Sequence, residues 1–381
     1  MKLPLNGVTV IEFSQYLAGP VAGLRLADFG ARVIKVERPE KGEAGRHLAI
    51  KNLWADESSL LFHTINRNKE SIVADFKNPK DIQFIKQLIK VADVMTHNFR
   101  PGVMESIGLD YSSVKKLNPR IIYAEISGYG KKGPWSQKPG QDLLIQSISG
   151  LAYSTGNKND HPMPFGLGIG DYLCGNQTVQ AILAALIRRH KTGRGARLEL
   201  SLLESLIDFQ FEFFTTYFQS HKQHKRSEIN NGHSLLSAPY GIYQTTDGYI
   251  AVAMMPLKKL NLAIQCDELE RFAEKDAFGK RDEIKEILSR HFLTAPTSLW
   301  LERGKKYDLW LMPVLNWKEL KESSTYQGLH LEQVFTSGER KITTTRCPIR
   351  YNKQYLLSDR PAPKLGEHTD KLKTALSKKP K

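Results

Sequence analysis

Cysteine is scarce: three residues, at 174, 266 and 347, stand far apart and are odd in number. That spacing excludes a disulfide framework and a CxxC metal site, and it fits free thiols in a reducing compartment. No metal is expected. An apolar run long enough to span a bilayer is missing, and the first seven residues lack the apolar stretch of a signal peptide. A cytoplasmic protein without a membrane partner is therefore expected. Also missing are a GxGxxG pattern at the first strand–helix turn, a Walker loop, a GxSxG elbow, an HExxH pair and any internal repeat. Those gaps remove the commonest phosphate-binding, serine-hydrolase and zinc-protease readings.

What remains is an ordinary globular composition on a long chain. The 381 residues exceed the usual ceiling for one compact unit, so two domains are expected. A formal net charge of +15 implies attraction to polyanions: nucleic acids, anionic membrane surfaces or phosphorylated small molecules. Much of the excess sits in scattered lysine pairs (115–116, 131–132, 258–259, 305–306) and in the tail 378–381. No nucleic-acid module or aromatic–basic stacking pattern accompanies them, so solvated surface charge is expected and no nucleic-acid partner.

Residues 7–13 (GVTVIEF) spell a buried strand, and the Gly19-Pro20 turn leads into a helix over 20–29. Residues 31–37 (ARVIKVE) supply the next strand. Strand, helix and strand at this spacing predict a right-handed parallel crossover and an α/β sheet. Helix 80–91 with strand 93–97, and helix 111–117 with strand 120–126, extend a doubly wound pattern. A helix after Asp171 places Val179, Ile182, Leu183, Leu186 and Ile187 on one stripe and stops at Gly193. Strand 197–201 follows, then one aromatic-rich helix over 202–219 whose all-round apolarity predicts burial between subunits or domains. The polar stretch 221–232 is expected to be a linker. Residues 239–243 and 249–253 flank Asp247-Gly248 as a hairpin, and helices over 283–293 and 297–306 complete a smaller domain.

Asp171 carries the sharpest chemical hint. It closes the run Phe165-Gly166-Leu167-Gly168-Ile169-Gly170 and opens the long helix. Glycines let the backbone approach a ligand closely, and the first free amides of the helix are expected to point to the same spot. A carboxylate placed there is either a nucleophile or a plain N-cap. Glu37 ends its strand like the acidic ribose ligand of dinucleotide enzymes. The turn at 18–23 (AGPVAG) lacks the glycine pattern, however, and Pro20 has no amide hydrogen, so Glu37 is expected to be a surface strand end. Arg38 beside it is solvated or holds a phosphate. Residues 97–102 (HNFRPG) follow a strand, where open parallel sheets bind ligands. Either Arg100 holds a phosphate while Phe99 packs on an adenine ring, or the segment is a plain turn. His233 and His368 are loop histidines open to acid–base or structural roles.

Taken in order, many short segments resemble the CaiB/BaiF family, the family III CoA-transferases. They are 5–13 (LNGVTVIEF) with Ala18-Gly19-Pro20, 26–38 (LADFGARVIKVER), 68–71 (NKES) and 98–102 (NFRPG). Residues 118–120 (NPR), 127–130 (SGYG) with Gly133-Pro134, 190–195 (HKTGRG) and 365–369 (LGEHT) carry the likeness over nearly the whole chain.

The resemblance implies a Rossmann-like large domain over 1–200 completed by 330–381, a linker helix and loop over 201–232, and a smaller α+β domain over 233–329. It also implies a homodimer of interlocked, ring-like subunits. Its catalytic aspartate falls on Asp171, which would pass through an acyl anhydride and a CoA thioester. Glycine amides near 166–170 would steady the oxyanions. Contacts to CoA map onto Arg38, Lys77, Asn98, Phe99 and Arg100, and Gln15, Leu17, Gln141, Asp142 and His233 fall near the acyl group. The implied partners are an acyl-CoA, with succinyl-CoA or acetyl-CoA as donor, and a small carboxylic acid; no cofactor besides the CoA thioester is implied. The related α-methylacyl-CoA racemases carry a histidine where this chain has Gln141, which cannot titrate, so racemisation is disfavoured. Around 231–237 the chain also lacks the glycine-rich tetrad of formyl-CoA transferase. From a different class, a noncatalytic polyanion-binding protein would show salt-sensitive affinity and no thioester turnover.

Overall fold

Short aliphatic and β-branched runs form a six-stranded parallel sheet in a computed structural model, which describes residues 2–358 and 360–377. The basic tail 378–381 lies outside the described residues. The strands are β1 (Thr9–Phe13), β2 (Arg32–Glu37), β3 (Glu70–Val73), β4 (Val94–His97), β5 (Ile122–Ser127) and β6 (Ala196–Ser201). Their order across the sheet is β3-β2-β1-β4-β5-β6, every neighbour parallel. Winding reverses between β1 and β4. The crevice outside the carboxyl ends of these two strands is thus the topological switch point, where open α/β sheets bind ligands.

Both faces of the central strands are covered, which is why β1, β2 and β4 are buried almost without alternation, whereas the edge strand β6 alternates. Ile11, Phe13, Ile34, Ile72 and Met95 pack on one face against Phe84, Ile85 and Leu88 of the helix Pro79–Val91. Val10, Val33, Val94 and Ile122 pack on the other against Ala22 and Leu26 of α1 (Ala18–Asp28) and Val179 and Ile182 of α2 (Ile169–Thr192). Each fully buried aliphatic chain contributes about 1.5–3 kcal/mol. α2 ends where expected, on Gly193 at φ 68°, a left-handed cap.

The chain divides into two compact units, the first comprising Met1–Ile145, Gly168–Asp208 and His330–Lys381, the second Gln146–Leu167 and Phe209–Leu329. The last segment returns to the first unit because Ser71 accepts the His368 amide at 2.9 Å and Asn68 donates to the Arg360 carbonyl at 3.0 Å. His368 is itself structural there, its Nδ1 accepting the Ser71 amide at 3.3 Å.

The boundaries differ from the expected 200 and 233. Residues 146–167 group with the second unit, where Gln146 accepts the Phe165 amide and donates to Leu167 O, and Arg226 donates to the carbonyls of Thr155 and Asp160. The expected single aromatic helix is two, Leu202–Phe209 and Phe211–Ser220, because Gln210 leaves the helical region at φ −97°, ψ 23°. In the single chain Phe211 and Phe218 are exposed. The expected hairpin forms the antiparallel pair Gly241–Gln244 and Tyr249–Val252, joined by Leu311–Pro313, over a core of Tyr243, Ile250, Leu288, Phe292 and Trp300. Among the described residues no helix is long and apolar enough to cross a membrane.

Candidate active site

The turn that leaves β1 is held across the switch point. Asn98, just past β4, accepts the Gln15 amide at 2.9 Å and donates to the Gln15 carbonyl at 2.7 Å. Two residues singled out in the sequence therefore clasp each other, one from each strand flanking the crevice. Tyr16 adopts φ 65°, a left-handed conformation uncommon for a bulky residue. Leu17 comes next and lies against the start of α2, so closely that a Cβ on Gly168 would stand 2.9 Å from Leu17 Cδ2.

Asp171 is not the N-cap of α2. Gly168 occupies that position, and Asp171 is the third residue of the first turn. Nor are the neighbouring amides open to a ligand: Asp142 Oδ1 accepts from Gly170 N at 2.7 Å and from Asp171 N at 3.1 Å. This removes Gly170 from the expected oxyanion donors. The same geometry brings a second carboxylate beside the first. Burial and, after it, the Asp142 charge push the Asp171 carboxyl up to about 7, while a backbone hydrogen bond from Ala18 pulls the other way. That amide opens α1, a helix whose N-cap Leu17 offers no side-chain cap, so Asp171 sits where the helix dipole favours an anion. Desolvation wins. A carboxylate titrating near neutrality is more basic, and so more nucleophilic, than an exposed one while a useful fraction stays ionised.

The remaining residues fall in different places. Phe99 and Arg100 line a cavity of about 330 Å³ at the carboxyl ends of β4, β5 and β6, with His97, Glu125, Tyr129 and Lys131. Phe99 stacks on His97 at 6.4 Å. Burial, then the charges of Lys131 and Arg197, hold His97 down to about 3, so its 3.8 Å approach to Glu125 is no ion pair. Arg38 and Lys77 are exposed; the Arg38 guanidinium donates to Gly42 O at 2.7 Å, and the Lys77 amide donates to Asp75 at 2.9 Å. Gln141 is exposed one residue before Asp142. His233 belongs to the second unit, where its Nδ1 accepts the Leu235 amide at 3.2 Å and its Nε2 lies 3.4 Å from Glu212. No metal-binding group of three or more ligands occurs among the described residues.

Glu37 is a correction. Far from being a surface strand end, it is buried, paired with Arg46 through two contacts of 2.7 Å and accepting from Ser71 Oγ at 2.6 Å. Its lone pairs are occupied, leaving nothing for a ribose. Sequence reasoning also missed a buried charge cluster, Glu12 with Lys35 and Lys69, beneath the first turn of α1. The available signal was an ionisable residue in the middle of an apolar strand, Val-Ile-Glu-Phe and Val-Ile-Lys-Val, which folding does not bury without partners.

Comparison with known proteins agrees with this geometry. A family model described as CoA-transferase family III matches residues 5–369. Human succinyl-CoA:glutarate CoA-transferase is 33% identical over 376 residues, covering 96% of this chain and 84% of the relative. Acetyl-CoA:oxalate CoA-transferase of Acetobacter aceti is 32% identical over 323 residues, covering 83% and 82%. A crystal structure of a CaiB/BaiF family protein from Brucella suis superposes with a TM-score of 0.85 at 29% identity, covering 99% of this chain and all of that one. With the match running through both strands of the switch point and through Asp171, the chain belongs to CoA-transferase family III and is an enzyme of that class.

Proposed function

We propose that the enzyme moves CoA from a donor acyl-CoA to a small carboxylic acid with Asp171 as the nucleophile. A carboxylate oxygen of Asp171 attacks the thioester carbonyl; the new C–O bond replaces the C–S bond, leaving a mixed anhydride and CoA thiolate. The thiolate then attacks the Asp171 carbonyl, forming an aspartyl-CoA thioester and releasing the first acid as its carboxylate. The acceptor carboxylate attacks that thioester to give a second anhydride and thiolate again. Attack of the thiolate on the acceptor acyl carbon yields the new acyl-CoA and free Asp171. No proton is consumed overall, and the covalent intermediates divide one transfer into successive acyl exchanges, so no single barrier carries the whole of it.

One observation carries the reading: Asp171 is held at the helix start beside the switch point, titrating near neutrality. The exposed cations Arg38, Lys77 and Arg100 suit the CoA phosphates, Phe99 an adenine face, and Asn98 with Gln15 the approach of the pantetheine arm. Gln15, Leu17, Gln141 and Asp142 stand nearest the acyl group in this reading. Relatives named for succinyl-CoA, glutarate, acetyl-CoA and oxalate support succinyl-CoA or acetyl-CoA as donor and a short acid as acceptor. The reading extends to an interlocked homodimer working in the cytoplasm with no further cofactor. Mass spectrometry of the purified protein incubated with succinyl-CoA or acetyl-CoA and hydroxylamine tests it: Asp171 should be converted to its hydroxamate, and Asp171→Ala should abolish exchange. Full-rate exchange by that variant would reject the nucleophile.

A further inference from the structure

Four ionisable side chains are sealed under the first turn of α1. Glu12 and Lys35 have no exposure, Lys69 2% and Glu43 6%. Lys35 Nζ donates to Glu12 at 3.0 Å and to the Ser14 carbonyl at 2.8 Å, and it lies 3.7 Å from Glu43. Lys69 Nζ donates to both Glu12 oxygens, at 3.1 and 2.9 Å, and to the Pro20 carbonyl at 2.9 Å. Glu43 Oε2 accepts the Tyr16 amide at 3.0 Å and the Gly45 amide at 2.9 Å. The cluster thus grips segment 14–20 at three backbone groups: Ser14 O, Tyr16 N and Pro20 O.

Burying four charges is costly, and a hydrophobic set would stabilise a fold as well. What this set does that apolar residues cannot is fix polar backbone atoms. The left-handed Tyr16 is maintained through its amide by Glu43, and the helix that follows starts at Ala18 with no side-chain cap of its own. α1 presses directly onto the cluster, for a Cβ on Gly23 would stand 1.7 Å from Glu12 Oε2. It presses as closely onto α2, where a Cβ on Gly175 would stand 2.7 Å from the Ala18 carbonyl oxygen. A backbone hydrogen bond from Ala18 favours the charged form of Asp171.

We propose that Glu43, Lys35, Glu12 and Lys69 are positioning residues for the transfer: acting through segment 14–20, they hold the Ala18 amide where it donates to the Asp171 carboxylate. None of the four reaches Asp171. The titratable groups that do face it are Asp142 and, one turn along α2, the buried Cys174; on α1, Arg25 is engaged by Asp28 and the Tyr172 hydroxyl. The inference rests on the reading of Asp171 as nucleophile, but its test does not depend on turnover.

The experiment is a 13C titration of aspartate-labelled full-length protein, with Asp171→Asn identifying the Asp171 carboxyl resonance. Glu43→Ala releases the Tyr16 amide and should move the Asp171 midpoint up by about one pH unit. Glu43→Gln keeps an acceptor but loses the charge and should fall between that and wild type. Transfer by the Ala variant at neutral pH should drop about fivefold, the change in ionised fraction, and recover by about pH 9, with KM for acyl-CoA within about threefold. A purely structural role would lower the rate equally at all pH values. An Asp171 midpoint equal to wild type in Glu43→Ala overturns the proposal. If that variant does not fold, an unmoved midpoint in Glu43→Gln overturns it instead. Full transfer by Asp171→Ala would reject the nucleophile while leaving the titration result standing.

Discussion

Replacing Asp171 with Asn should change stability in a pH-dependent way that follows from its surroundings. Burial first, and the Asp142 charge second, raise the carboxyl from 3.8 to about 7. The gap spans about three pH units at about 1.4 kcal/mol each, so up to about 4 kcal/mol is at stake. The folded chain holds this proton more tightly than the unfolded one. Its stabilising contribution is therefore complete below the unfolded pKa and is lost as pH rises through the folded value. Asn has the same shape, can still accept from the Ala18 amide, and carries no charge at any pH. The stability of wild type minus that of Asp171→Asn should then fall by about 2 kcal/mol between about pH 5.5 and pH 8.5, the part of the window above 5.5. Guanidinium unfolding of both proteins at the two pH values, followed by circular dichroism, measures it. Any pH-independent effect of the amide cancels in the comparison. An equal difference at both pH values would mean that Asp171 titrates as an ordinary carboxyl, and the claim that burial and Asp142 tune the nucleophile would fail.

Asp142→Asn keeps an oxygen for the Gly170 and Asp171 amides but deletes the like charge. The acid limb of kcat/KM should move to lower pH by about half a unit to one unit, read from a pH–rate profile. Asn98→Ala unclasps Gln15 at both its amide and its carbonyl. KM for acyl-CoA should rise about tenfold, because the clasp shapes the crevice that admits the pantetheine arm. Gly175→Ala would place a Cβ 2.7 Å from the Ala18 carbonyl and should cost about 1–3 kcal/mol in a thermal melt. Gly279→Ala, with nothing within 4 Å of the added carbon, is the matched control and should change little.

The strand and helix alternation of the first half was legible because buried parallel strands are written as continuous apolar runs such as Val10-Ile11 and Val33-Ile34, and helices as stripes such as Val179, Ile182 and Leu186. Periodicity is a local property, and five of the six parallel strands follow from it; β3 (Glu70–Val73), only four residues long, carries too little of it to be read. The sequence also singled out Asp171, Asn98 and Gln15, the first by its glycine setting, the others by resemblance. Tertiary structure decided everything that depends on which distant groups meet. Asp171 stood as a candidate cap until Gly168 took that position and Asp142, 29 residues earlier, took the nearby amides. Glu37 belonged to the surface until Arg46 and Ser71 enclosed it. Lys35 and Lys69, far apart along the chain, are both buried on the same Glu12 carboxylate. A charge's pKa and role are set by solvent exclusion and by neighbours remote along the chain. Neither is encoded in the spacing of residues along one strand; both appear only when the sheet order brings β1 beside β4 and packs α1 against α2.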